Sequence, residues 1–477
     1  MRDEIAVIGS GVGGLAAAAR LAKNGYRVSV YEKLDRCGGV ANIIEDKGFK
    51  FDTGPSLVMM PDFLEEIFQY CGENLNDYLS LKILDQSYKI FYADGTQLNI
   101  YRDSERTKEE IEKIERGGSR GFDRFLQEAQ GIDSVLRPLF YRCFSAGNML
   151  SPKFWNIAAG LKMNKSYWQV VSKFFKSVKL RYAFTFQSLF VGASPFSAPG
   201  FYSIITYLDH RQKIFHSLGG TYQVPLAFRK MAEKFGAKLF YNQAIKNIRK
   251  QGSEFILDTE RGAVKADKVV VNADYNYTQK YLLGRKLTPR KYSCSAMMIY
   301  LGLNRKIKGL GHHNFFFPAD WRKNLREVFN TKLFSQDPFF YVYVPTVTDP
   351  SLSPAGKETV CILILAPNLE NLRDNIEEHR ERLRNAVFSR IKDISGQDLK
   401  DSLEVEHRFY PHDFRKCYNL YNGATFGFSH NLVQDIFSLP KNYDHYLKGL
   451  YYVGGSTQPG SGLPSVIAGS RIVADLL

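Results

Sequence analysis

Apolar and polar positions along this chain set out its first elements. Ile5-Ala6-Val7-Ile8 is an unbroken apolar run of strand length, and Gly9-Ser10-Gly11-Val12-Gly13-Gly14 follows at once. The Ala-rich run from Leu15 to Lys23 predicts a helix, stopped by Asn24-Gly25, a pair suited to a helix C-terminus. Arg27 to Tyr31 reads as a second strand leading into Glu32. Far along the chain, Leu450 to Val453 reads as a strand entering the turn Gly454-Gly455, and Ser465 to Leu477 as a closing helix. Between them, Phe339 to Val344 and Thr359 to Leu365 predict strands, the first stopped by Pro345. Asn375 to Ile391 predicts a charged helix with a solvated face. Over residues 162–179, Trp168, Val171, Phe175 and Val178 fall within about 80° on a helical wheel. Lys162, Lys165, Lys173, Lys176 and Lys179 take the adjoining arc, which predicts one basic amphipathic helix.

The first of these patterns carries chemistry. Strand, G-x-G-x-x-G, helix, strand and acid follow in that order, with Glu32 eighteen residues after Gly14. The glycines permit a tight turn and let backbone N–H groups approach a pyrophosphate at the helix N-terminus. A carboxylate at the end of the second strand accepts hydrogen bonds from a ribose diol and repels a 2′-phosphate, which argues against NADP. A second Gly pair, Gly38-Gly39, and the stretch Gly48 to Ser56 extend the unit beyond what an NAD dehydrogenase carries. Together with the C-terminal Gly turn and helix, whose N-terminus suits a reduced isoalloxazine, this points to FAD.

Charge and composition narrow the class. Lys and Arg number 64 against 49 Asp and Glu, a net charge of +15, which implies an anionic partner. From Ser134 to Leu208 there is no acid and there are nine basic residues. No zinc finger, RNP-type aromatic motif or helix-turn-helix accompanies the charge, so a membrane surface is expected rather than nucleic acid. The six cysteines are at least 34 residues apart, which excludes a C-x-x-C metal cage and a dense disulfide framework. Asp3, Glu4 and four glycines argue against reading the N-terminus as a signal peptide. The longest uncharged stretch, Tyr182 to Leu208, is broken by Pro195, Pro199, Gly192 and Gly200, so no membrane span is expected. His312-His313 is not expected to bind metal, since neighbours on a strand point to opposite faces.

With these residues in view, the chain resembles the bacterial-type carotenoid desaturases, the phytoene and diapophytoene desaturase family. The likeness includes Gly48 to Pro61, Phe186 to Ile204, Gly219-Gly220, Tyr292 to Leu301, His312 to Phe315, Pro411 to Phe414 and Gly454 to Pro464. Val40 and Gln458 depart from it, standing where many members carry a basic residue and His. The resemblance implies an α/β fold, with a Rossmann-like FAD-binding domain interleaved with a mixed-sheet substrate domain and a helical, membrane-facing insert. Expected boundaries are 1–60, 212–282 and 440–477 for the first, 61–133 and 283–439 for the second, and 134–211 for the insert. Gly9, Gly11 and Gly14 would hold the pyrophosphate, Glu32 the ribose, and Gly38 and Gly39 would close over the phosphates. Ile245 would reach the adenine, and Gly454, Gly455, Gly462 and Leu463 the ribityl chain and ring.

The activity implied is FAD-dependent desaturation of a C30 or C40 polyene, with FAD bound non-covalently because no cysteine follows Cys417. Asp209, His210, Arg211 and Arg322 are the candidates for catalytic side chains. Oxygen or a quinone would reoxidise the flavin, and the protein would sit peripherally on the cytoplasmic face of the membrane. Alternatives are a carotenoid terminal oxidase, a retinoid saturase or carotenoid isomerase, and a non-enzymatic polyene-binding protein. The intact Glu32 and both Gly motifs count against the last.

Overall fold

The computed structural model describes residues 3–144, 152–432, 434 and 437–477. Its N-terminal unit is β1 (Glu4–Ile8), α1 (Val12–Lys23) and β2 (Arg27–Tyr31). β1 lies at the centre of five parallel strands in the order Leu450–Tyr452, Lys268–Val271, β1, β2, Lys238–Phe240. A parallel sheet covered on both faces needs continuously apolar strands. Ile5, Val7, Val269, Val270 and Val271, all fully buried, supply them. On one face α1 packs between the helices Gln223–Lys234 and Leu463–Leu476, its alanines allowing close approach. On the other lies an antiparallel meander, Ile245–Gln251, Glu254–Thr259 and Gly262–Ala266. Arg20 of α1 is fully buried, ion-paired to Glu66 of the Pro61–Cys71 helix and 3.1 Å from Ser470 Oγ.

A second, seven-stranded sheet runs in the order Leu403–Phe409, Ser295–Leu303, Glu358–Ala366, Phe340–Tyr343, His313–Phe316, Gln86–Phe91, Gln97–Tyr101. Its neighbours are antiparallel except His313–Phe316 beside Gln86–Phe91. One face is aliphatic and packs Met297, Ile299 and Ile362 against the helix Ile376–Ser395. The other is aromatic: Tyr88, Phe315 and Phe317 meet Phe186 with ring centroids 4.4–5.9 Å apart.

The basic segment is not the single helix that its periodicity predicts. A helix over Tyr167–Val171 stops at Ser172, and another begins at Val178. The break is held from outside, since the Glu115 carboxylate accepts the backbone N–H groups of Lys176 (2.9 Å) and Ser177 (2.6 Å). Val171 and Phe175 are buried, Phe175 stacking on Phe184 at 4.9 Å, while Val178 is 49% exposed. Lys173 and Lys176 are exposed, and Lys179 pairs with Asp94. The stripe is thus divided between core and surface. Residues 145–151 of the expected insert lie outside the described residues. Among the described residues no helix is long and apolar enough to cross a membrane.

Candidate active site

The Gly loop is shaped by contacts that only glycine allows. The chain turns at Gly9 with φ 95°, and α1 begins after Gly11, with no side-chain cap and no acid in its first turn. The free amides of that turn are a ready anion site. A Cβ on Gly14 would lie 2.2 Å from the Gly9 carbonyl oxygen, and one on Gly11 2.7 Å from Asn272 Nδ2. The second Gly pair rests directly on this loop. Gly38 N–H donates to the Ser10 carbonyl at 2.9 Å, and a Cβ on Gly39 would come within 3.2 Å of Gly11 Cα.

Glu32 is buried at the end of β2. One carboxylate oxygen accepts from Ser10 N–H and Ser10 Oγ, each at 2.8 Å, and the other from Leu34 N–H at 2.9 Å. The remaining lone pairs are available to a diol. Ile245, also buried, begins the meander in the core shared with Ile8 and Tyr31. The neighbouring Gln243 N–H donates to the Glu32 carbonyl at 2.8 Å.

Asn272 ties the N- and C-terminal glycines together, a role that sequence reading did not assign. Its backbone N–H reaches the Ile8 carbonyl at 2.8 Å, and its side chain touches the positions a Cβ would take on Gly9, Gly11, Gly13, Gly14 and Gly454. Gly454 adopts φ 120° beside it. Across the turn, a Cβ on Gly455 would meet Ser461 Cβ at 3.2 Å. The helix Leu463–Leu476 begins at Gly462 (φ 104°) without a side-chain cap, with Leu463 buried. Gln458 clamps this turn, accepting from Phe144 N–H at 2.7 Å and donating to the Leu439 carbonyl at 3.1 Å. Asp52, also missed, accepts from Thr221 and Tyr222 N–H at 3.0 Å each, and burial raises its carboxyl. It thereby fixes the Gly219-Gly220 turn.

The four candidate catalytic side chains face different surroundings. Asp209 and His210 are buried on the helix Ser203–Arg211, while Arg211 and Arg322 are exposed. His210 packs edge-on against Phe122 at 4.8 Å, and burial lowers it to about 3. The Arg322 guanidinium lies over the Phe196 ring at 4.3 Å. Burial raises the Asp209 carboxyl well above the usual carboxylate range.

His312 and His313 do not point apart as expected. His312 precedes the strand, so the two rings meet edge to face at 4.5 Å. His312 Nδ1 bonds Thr348 Oγ1 (2.7 Å) and His313 Nδ1 bonds Tyr341 Oη (2.6 Å). The Tyr341 hydroxyl in turn bonds Ser56 Oγ at 2.8 Å.

A family described as flavin containing amine oxidoreductase matches residues 12–477. The chain belongs to that family. As a flavin-containing amine oxidoreductase it is an FAD-dependent oxidoreductase, and its uncapped helix start, paired Gly loops and buried Glu32 fit the dinucleotide. Among its curated relatives are carotenoid desaturases. It is 34% identical to a zeta-carotene-forming phytoene desaturase of Myxococcus xanthus, over 99% of this chain and 93% of that one. A 4,4′-diapophytoene desaturase (4,4′-diapolycopene-forming) from Methylomonas sp is 32% identical over 99% and 94%. A putrescine oxidase structure from a study of cofactor-binding redesign is 16% identical with TM-score 0.65, covering 100% of this chain and 99% of that chain. An oxidoreductase structure from Methanosarcina mazei is 17% identical with TM-score 0.65, covering 99% and 100%. These two structures bear on the fold alone.

Proposed function

We propose that this flavoprotein desaturates an acyclic C30 or C40 polyene such as diapophytoene or phytoene. The observation that carries the reading is similarity along the whole chain to relatives named for those reactions. Bound FAD, held non-covalently, supplies a hydride acceptor. The cofactor-binding unit is assigned to 1–60, 212–282 and 440–477, which contribute all five parallel strands. Residues 61–133 and 283–439 are assigned to substrate binding, since they contribute all seven strands of the second sheet.

A hydrocarbon offers nothing to hydrogen-bond, so its site must work through apolar area and shape. The aromatic face of the seven-stranded sheet, where Phe186 meets Phe315 and Phe317, and Phe317 meets Phe339, supports that role. Gly9, Gly11, Gly14, Gly38 and Gly39 are assigned to the pyrophosphate, Glu32 to the ribose and Ile245 to the adenine. Gly454, Gly455, Gly462 and Leu463 are assigned to the ring end, where the uncapped helix start favours negative charge.

Substrate of this class resides in lipid, and the acid-free residues 134–208 are the proposed contact with an anionic membrane surface on the cytoplasmic side. The exposed Lys173, Lys176 and Trp155 support it. Oxygen or a quinone is the proposed final acceptor. Expression in hosts that make phytoene or diapophytoene, followed by chromatography, tests the activity. Products absorbing at longer wavelength support it, an aldehyde or carboxylate product indicates a terminal oxidase, and unchanged pigment refutes it. Charge reversal of Lys173 and Lys176 to Glu should reduce sedimentation with anionic liposomes while leaving the flavin spectrum unchanged.

A further inference from the structure

Asp209 is 1% exposed, and neither carboxylate oxygen makes a hydrogen bond of ordinary geometry, although Tyr88 and Gln187 lie near enough to steady the charged form. These polar neighbours are the Tyr88 hydroxyl and the Gln187 amide, whose Oη and Oε1 make no such bond either. Tyr167 approaches from a third element, bonded to Thr206 one turn before Asp209. The helix Gly118–Leu136, packed on this one, presents Phe122, Phe125 and Ala129 from its buried face. His210 turns toward Phe122 and Phe184, and Arg211 is exposed. The titratable groups facing Asp209 are therefore the phenols of Tyr88 and Tyr167, with Tyr341 beyond Tyr88. Tyr88 also belongs to the aromatic face, meeting Phe315 at 5.2 Å and Phe186 at 5.6 Å. A buried acid held so weakly destabilises the fold, and such groups gather where chemistry needs them.

We propose that Asp209 is the proton acceptor of the desaturation. One substrate C–H bond breaks with its electron pair leaving as hydride to the bound flavin. The C–H bond on the adjacent carbon then breaks, its electron pair becomes the new π bond, and its proton passes to an Asp209 carboxylate oxygen. An ionised Asp209 in apolar surroundings is a strong base, and the Tyr88 hydroxyl is the group placed to donate to it. After transfer Asp209 is a neutral acid, the form its surroundings favour. The assignment rests on the desaturase reading above.

The test is anaerobic single-turnover flavin reduction by phytoene or diapophytoene, in wild type, Asp209→Asn, Asp209→Glu and Tyr88→Phe, across pH. The wild-type rate should rise with pH through the raised Asp209 value and then level. Asp209→Asn should retain FAD, melt no lower than wild type, and reduce its flavin at least ~100-fold more slowly, without the pH dependence. Asp209→Glu should recover part of the rate with its pH dependence, and Tyr88→Phe should shift the dependence to higher pH. Reduction by Asp209→Asn at the wild-type rate overturns the assignment and leaves the desaturase reading standing. A wild type whose flavin neither substrate reduces overturns both. If Asp209→Asn does not fold, a wild-type rate that is flat with pH is enough to reject the proposal.

Discussion

Gly14→Ala tests the architecture of the dinucleotide loop most directly. The new Cβ would stand 2.2 Å from the Gly9 carbonyl oxygen and 3.0 Å from Asn272 Cβ, where ordinary contact begins at 3.4 Å. Gly9 O is backbone and cannot rotate away, so the first turn of α1 must retreat by roughly 1 Å. Two effects oppose each other in the apoprotein. Alanine favours the helix by up to ~1 kcal/mol, while overpacking costs ~1–3 kcal/mol. The fold should therefore lose no more than ~3 kcal/mol. FAD suffers more, because the displaced turn carries the uncapped amides. Losing two charge-assisted hydrogen bonds at ~1.5–3 kcal/mol each weakens binding by at least ~100-fold. Titration of apoprotein with FAD, followed by flavin fluorescence, gives the affinity, and thermal melting of the apoprotein gives the stability. An FAD affinity within about threefold of wild type would show that the loop does not cradle the cofactor.

The other expectations use the same apoprotein measurements. Gly131→Ala, at an exposed position inside the Gly118–Leu136 helix where a Cβ meets nothing within 4 Å, should add up to ~1 kcal/mol and leave FAD affinity unchanged. Glu66→Ala leaves the buried Arg20 without its carboxylate and should cost about 3 kcal/mol in urea denaturation, whereas Arg20→Met should cost less. Glu32→Gln turns an amide donor toward the Ser10 or Leu34 N–H and should weaken FAD by ~1.5–3 kcal/mol in the same titration. His210 binds its proton only below about pH 3 in the folded protein, against ~6.5 when unfolded. The unfolded chain therefore holds the extra proton below ~6.5, so stability is lost as pH falls from there, by up to ~1.4 kcal/mol per unit. Acid titration of His210→Phe should show a correspondingly shallower loss.

Much of the dinucleotide unit was legible because its signals are local. An apolar run, spaced glycines and a carboxylate at a strand end each state their role within a few residues. β2 was placed at its observed ends, and the strands around Phe340 and Ile362 within one residue at each end. The basic segment failed because periodicity describes one helix in isolation. Its break depends on Glu115, which lies 61 positions from Lys176. The contacts of the Asn272 side chain with the glycines were not legible for a related reason. That side chain matters only because Lys268–Val271 lies beside β1, which the sequence order alone does not reveal. The approach of Asp209 to Tyr88 likewise joins positions more than a hundred residues apart, across faces whose pairing no spacing encodes.

The five parallel strands also set the order in which this protein can be made. β1 leaves the ribosome more than four hundred residues ahead of its neighbour-but-one, Leu450–Tyr452. At ~5–20 residues per second that interval is roughly 20–90 s. Lys268–Val271, made part-way through it, then presents an open apolar edge for about 180 residues, roughly 9–36 s, before Leu450–Tyr452 can dock. Such long-range parallel pairing folds slowly and exposes chains to aggregation. Yield in a heterologous host should therefore depend on chaperone capacity and on slow synthesis. Trimming the chain before Leu450 should produce an insoluble product, whatever flavin the medium contains.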